Sequence, residues 1–217
     1  MQSGQWPRPL ILASSSPARR ELLERAGFQF EVIPPDIEEP DGTDVTDIQR
    51  FVADLAWQKA AAVASRVSYG VVLAADSVGW HAGEVIGKPR DRDDARRILR
   101  RLSNTEHELW TGVCLWFCPE NWQIMWQEKS RLFMRQLSDT ELENYLDSGQ
   151  WEGKSGAYAI QEQNDPFLTV LEGSVSNVIG LPVESLQRCW SWLSRTHGEI
   201  WQPVAPPVSG PQKAGTK

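Results

Sequence analysis

The sequence predicts a mixed α/β fold with some antiparallel pairing, on three observations. Short apolar runs alternate with amphipathic helical stripes from Leu10 to Trp192. The run Val71–Ala75 is continuously apolar, as in a strand covered on both faces. Leu109–Phe117 and Trp122–Met134 then alternate as strands.

Taken in order, Leu10–Ala13 reads as a short buried strand. Pro17–Ala26 reads as a helix with Ser16 as N-cap, Pro17 at its first position and Gly27 closing it. Phe28–Pro34 is a second strand. A longer helix runs from about Val45 to Val67, with Ile48, Phe51, Val52, Leu55 and Val63 on its apolar stripe. The strand from Val71 ends at Asp76, and Val78 to Ile86 forms a hairpin turning near His81–Gly83. Asp93–Leu102, Ser138–Ser148 and Val183–Trp192 are helices, the last one after a Gly180-Leu181-Pro182 turn. Residues 9–202 are expected to form one domain, after an N-terminal extension at 1–8. A disordered tail rich in Pro, Gly and Ala is expected at 203–217.

With 217 residues, 41% hydrophobic and 24% charged, the chain can bury a real core. A formal net charge of -7 argues against a nucleic-acid or anionic-membrane binder, so an anionic ligand needs a local basic pocket. No apolar run spans a membrane and the N-terminus has no export pattern, so a cytoplasmic location is expected. Three cysteines without a CxxC pair suit reduced thiols better than a disulfide framework or a zinc site.

The candidate chemistry starts at the first helix. Its free N–H groups and positive dipole end face the loop Ser14-Ser15-Ser16, yet Arg19 and Arg20 sit in the same turn. Cations are misplaced there unless an anion joins them, and hydroxyls, N–H groups and guanidinium forks make a phosphate cradle. The competing reading is a solvated turn with Arg20 paired to Glu24. Lys59 lies on the apolar stripe, either snorkelling to solvent or serving a site. Asp76 either caps a turn or sits where α/β sheets place ligands, able to hold a metal or activate water. Lys88 lies in a rigid Gly-Lys-Pro turn, which is not a P-loop. Glu38 and Glu39 form an acidic loop. His81, His107 and His197 match no metal spacing; His107 alone stays open as a functional residue, close to Trp110-Thr111-Gly112.

Together these segments resemble the Maf family. LILASSSPARRELLERAGF is similar to the family opening LASxSPRRxELL. The resemblance continues in order through PPDIEE, LAWQKAAAVA, VVLAADSV, GEVIGKPRD, ARRILRRLSNTEHELWTGV, GKSGAYAIQ and VSNVIGLP, roughly residues 9 to 190. It implies an elongated sheet flanked by helices, related to the inosine-triphosphate pyrophosphatases, with two lobes around a cleft. It also implies cleavage of nucleoside triphosphates to the monophosphate and pyrophosphate, with a divalent cation (Mg²⁺ or Mn²⁺) and often as a homodimer. By the same resemblance Ser14, Ser16, Arg19, Lys59 and Lys88 grip the triphosphate. Glu38 and Asp76 bind the metal, Asp76, Lys59 and Lys88 are catalytic with Asp76 able to activate the attacking water, and Thr111 and Gln161 lie near the nucleotide.

Family members acting on dTTP and UTP carry Arg at the position of Ala18, and those acting on 7-methyl-GTP carry Trp. Ala18 matches neither, whereas residues 156–161 look more like the dTTP/UTP group. A housecleaning role against modified nucleotides and a link to cell-division arrest come with the resemblance. The rival from another class is a non-catalytic nucleotide-binding regulator of septum formation.

Overall fold

The computed structural model describes residues 8–40, 42–160 and 165–196. The tail at 203–217, residues 1–7 of the N-terminal extension, and Gln161 lie outside these residues.

Strand β1 (Leu10–Leu12) leads through helix α1 (Pro17–Arg25) to β2 (Glu31–Val32), and α2 (Ile48–Ala64) leads to β3 (Gly70–His81). Next come β4 (Glu84–Ile86), α3 (Arg92–Leu102) and the long pair β5 (Thr105–Cys118) and β6 (Trp122–Met134). Helix α4 (Asp139–Asp147), a 3-10 turn at Ser155–Ala157, β7 (Leu168–Glu172), α5 (Val175–Ile179) and α6 (Val183–Thr196) follow. The seven strands form one sheet in the order β2-β1-β3-β5-β6-β7, with β4 beside β3. β1 runs parallel to β2 and β3, and the other pairs are antiparallel. The fold is therefore mixed α/β, as the sequence predicts.

Local chemistry accounts for most of the boundaries. The Ser16 hydroxyl accepts from the Arg19 N–H, Pro17 opens α1, and Gly27 takes φ 80° beyond its end. Ala82 and Gly83, both left-handed, turn the β3–β4 hairpin. Ser138 and Glu141 make a reciprocal capping box on α4. α2 starts at Ile48 rather than Val45 because Asp47 caps it. The strand expected over residues 28–34 shrinks to two residues, because its partner β1 has only three to pair with.

β3 differs from the prediction in a way that builds the cleft. It does not end at Asp76 but continues to His81, paired with β5 from Gly70 to Trp80. On its other edge, β1 pairs only with Val71–Leu73 and β4 only with Gly79–His81. Among the described residues, no strand pairs with residues 74–78 on that side. Asp76 thus lies in a gap just beyond the carboxyl end of β1, the kind of crevice where α/β sheets bind ligands.

Both sheet faces are covered. Leu12, Leu23, Leu73, Phe117 and Leu186 pack on the α1 and α6 side. Ile11, Ala60, Val63, Val72 and Cys114 pack under α2. A third cluster joins α3 and α4 to the far ends of β5 and β6 through Leu99, Leu132, Met134 and Leu142. Each fully buried Val, Leu, Ile, Phe or Met side chain among them contributes roughly 1.5–3 kcal/mol. α2 comes so close to β5 that a Cβ on Gly112 would stand 2.1 Å from the Val52 carbonyl oxygen. Among the described residues, no helix is long and apolar enough to cross a membrane.

Candidate active site

The gap in the sheet opens into a cleft of about 1090 Å³. Its walls are the start of α1, the Pro35–Pro40 loop, the inner face of α2, the Gly87–Arg90 turn, residues 152–160, and the end of α5. Seven basic and five acidic side chains line it, although acidic residues outnumber basic ones in the chain, 29 to 22. A local surplus of positive charge on an acidic body suits an anionic ligand.

Arg19 is held at this mouth entirely by neutral oxygens. Its Nε donates to the Gly180 carbonyl (2.8 Å), one terminal nitrogen to Ser14 Oγ (3.4 Å) and the other to Ser77 Oγ (3.2 Å). Among the described residues, no carboxylate stands within ion-pair distance of it. Burial lowers the Arg19 pKa, and the more distant charges of Asp76 and Glu39 oppose that shift. The guanidinium is therefore oriented while its charge remains uncommitted. Ser14 is buried and also accepts from the Ser16 N–H (3.1 Å), so the serine loop is pinned around the start of α1. Arg20 is exposed.

Lys59 does not snorkel. It is 5% exposed on the buried stripe of α2, and its ammonium bridges two carboxylates. One is Asp76, also 5% exposed, and the other is Glu39, at 2.7 Å. Lys88 approaches the other Glu39 oxygen at 4.0 Å. Partial burial raises the Glu39 pKa, but Lys59, Lys88 and Arg19 together outweigh it and hold the carboxyl below its usual range. Asp76 and Glu39 thus converge on one cationic position. Among the described residues, no three His, Cys, Asp or Glu side chains gather into a metal cage. Two carboxylates fit a hard divalent cation that takes its remaining ligands from phosphate oxygens and water.

The structure brings together Ser14, Ser16, Arg19, Lys59, Asp76 and Lys88, all on the cleft wall. Two expected residues stand elsewhere. Glu38 is absent from the wall, and its neighbour Glu39 faces the cleft instead, held there by Lys59 and Lys88. Thr111 is fully buried behind the cleft, and its hydroxyl meets Ser77 Oγ at 2.9 Å, so it reaches the cleft only through Ser77 and Arg19. Gln161 lies outside the described residues, while Ile160 before it lines the cleft. His107 is buried against Tyr158, away from Asp76, and burial, reinforced by His81, pushes its pKa down to about 4. Sequence reasoning missed Ser77, Ser155 and the Gly180 carbonyl. Ser77, adjacent to Asp76, had a positional signal; a backbone carbonyl has none.

Comparisons with known proteins place the chain among its relatives. The family described as Maf-like protein matches residues 9–191. The dTTP/UTP pyrophosphatase of Rhodopirellula baltica is 43% identical over 181 residues, covering 83% of this chain and 80% of that one. The dTTP/UTP pyrophosphatase of Caldanaerobacter subterraneus is 37% identical over 193 residues, covering 88% and 91%. That of Elusimicrobium minutum is 42% identical over 175 residues, covering 81% and 93%. Among solved structures, the Staphylococcus aureus Ham1 protein overlays with a TM-score of 0.49 at 14% identity, covering 85% of this chain and 98% of that one. On the match along residues 9–191 and these relatives, the chain belongs to the Maf-like protein family.

Proposed function

We propose that the chain is a nucleoside triphosphate pyrophosphatase, acting on dTTP and UTP as its named relatives do and releasing the monophosphate and pyrophosphate. The observation that carries this reading is Arg19, whose guanidinium is fixed by three neutral acceptors with its charge left for an anion. The serine loop and the start of α1 add N–H and hydroxyl donors beside it.

The reaction is an in-line displacement. Water oxygen bonds to the α-phosphorus, the bond from that phosphorus to the bridging oxygen breaks, and pyrophosphate leaves with the electron pair. Asp76 takes the proton of the attacking water, and the Lys59 ammonium holds its carboxylate in place. Arg19 and Lys88 neutralise charge on the phosphates. Asp76 and Glu39 would hold a divalent cation, Mg²⁺ or Mn²⁺, which when bound neutralises charge on the triphosphate and on the leaving group. The Lys59 ion pair with Asp76 disfavours a binding-only regulator, since phosphate recognition alone needs no buried carboxylate. The reading extends to the cytoplasm, where free thiols such as Cys114 and Cys118 stay reduced, and to a homodimer as in the family.

Pyrophosphate release from a panel of nucleoside triphosphates with Mg²⁺ tests this reading, with Asp76→Asn alongside. dTTP and UTP should be turned over fastest, and the variant should lose roughly 10³-fold or more while melting like the wild type. Near-normal activity of the variant would remove Asp76 from its role, and a panel without pyrophosphate would leave the regulator.

A further inference from the structure

Residues 153–160 form a cleft wall that crosses the sheet gap. Ser155 Oγ donates to the Ser77 carbonyl (3.3 Å), and the Gly156 N–H donates to the Gly87 carbonyl (3.2 Å), next to Lys88. The wall therefore touches the residues that flank both Asp76 and Lys88. Its backbone turns left-handed twice, at Gly156 (φ 77°), where glycine allows it, and at Ala157 (φ 58°), where an alanine disfavours it. A residue with a Cβ keeps such a conformation only where its surroundings enforce it.

Tyr158 is the enforcing group. Its ring is 6% exposed and folds back so closely that a Cβ on Gly156 would stand 2.5 Å from Cε1. A buried phenol needs a polar partner. That partner is His107 Nε2 on β5, at 2.8 Å, with the two rings edge to face at 5.4 Å. His107 is 3% exposed, and its Nδ1 has no hydrogen-bond partner among the described residues. A leucine would fill this space without burying an unpaired nitrogen, so packing alone does not explain a histidine here.

We infer that His107 is a positioning residue that fixes the 153–160 wall through the Tyr158 hydroxyl and so sets nucleotide affinity rather than the rate of the chemical step. The inference rests on the cleft being the nucleotide site.

Two readouts test it in the intact protein: kcat and KM for dTTP with Mg²⁺, and amide hydrogen exchange of residues 156–160 without nucleotide. His107→Leu and Tyr158→Phe should each raise KM by about three- to tenfold, the worth of one neutral hydrogen bond, with kcat within about twofold. The double variant should be no worse than the worse single one, because one bond is removed in all three. His107→Gln, which keeps a polar group and guards against a misfolded leucine variant, should recover most of the affinity. Exchange at residues 156–160 should speed up in the two single variants and not in His107→Gln. Additive effects, a fall in kcat at constant KM, or unchanged exchange would each overturn the inference. A wild-type protein inert towards nucleotides would sink the pyrophosphatase reading instead, and the exchange experiment would still decide the lock.

Discussion

Replacing Gly112 with alanine should cripple the protein without touching any group in the cleft. The added Cβ would lie 2.1 Å from the Val52 carbonyl oxygen, 2.4 Å from its carbon and 2.8 Å from the Ala53 nitrogen, whereas ordinary contact begins at 3.4 Å. All three atoms are helix backbone, which cannot rotate away as a side chain would. α2 must therefore back off β5 by roughly 1 Å or more. Lys59 sits about two turns further along the same buried face, so it is carried away from Asp76 and Glu39. Overpacking of this kind costs about 1–3 kcal/mol, or about 2–10 °C in Tm for a domain of this size. A displacement of about 1 Å in a catalytic group costs on the order of 100-fold in rate. Melting curves and pyrophosphate release from dTTP measure the two effects separately. A cooperative melt within about 1 °C of the wild type, together with unchanged kcat/KM, would refute the idea that this contact positions Lys59.

Two further outcomes follow from the site and its surroundings. Glu39→Gln should lower pyrophosphate release by about 10-fold or more, because it removes a charge facing Lys59 and Lys88, while Glu38→Gln should stay within about twofold. The reverse order would place the loop the other way round. Acid should destabilise the fold in two steps, readable by denaturant titration at a series of pH values. His107 has a folded pKa of about 4 against an ordinary 6.5, so its stabilisation is complete above pH 6.5 and is lost as pH falls to 4. The loss is on the order of 3 kcal/mol and should vanish in His107→Gln. Glu141 and Glu143, held down to about 2 by Arg135 and Arg96 respectively, give a second loss between the usual carboxylate range and that value. A flat stability profile from pH 6.5 to 4 would contradict the burial of a neutral imidazole.

Much of the site could be read from local chemistry. Ser16, Pro17 and Gly27 mark the ends of α1, while two arginines at the wrong end of its dipole leave an anion site and a solvated turn both open until the family resemblance is added. Lys59 stands out as a charge within an apolar stripe, and Asp76 as a charge after a buried run. What stayed hidden depends on contacts distant in sequence or on the backbone. Periodicity does not tell Glu38 from Glu39 in a loop, and the Gly180 carbonyl that orients Arg19 has no side-chain signature. Thr111 meets Ser77 only once β5 and β3 are in register. The gap beside Asp76 arises because β1 ends at Leu12 and β4 starts to pair only at Gly79, a matter of ladder lengths. β7 and α5, five residues each, are too short for periodicity to reveal.

The central claim is that water attacks the α-phosphorus of a nucleoside triphosphate lying against Arg19, Lys59 and Asp76. Hydrolysis of dTTP or UTP in ¹⁸O-labelled water, with mass analysis of both products, tests it most directly. The account predicts one labelled oxygen in the nucleoside monophosphate and none in pyrophosphate. Label in pyrophosphate, or release of labelled inorganic phosphate with a nucleoside diphosphate, would contradict it.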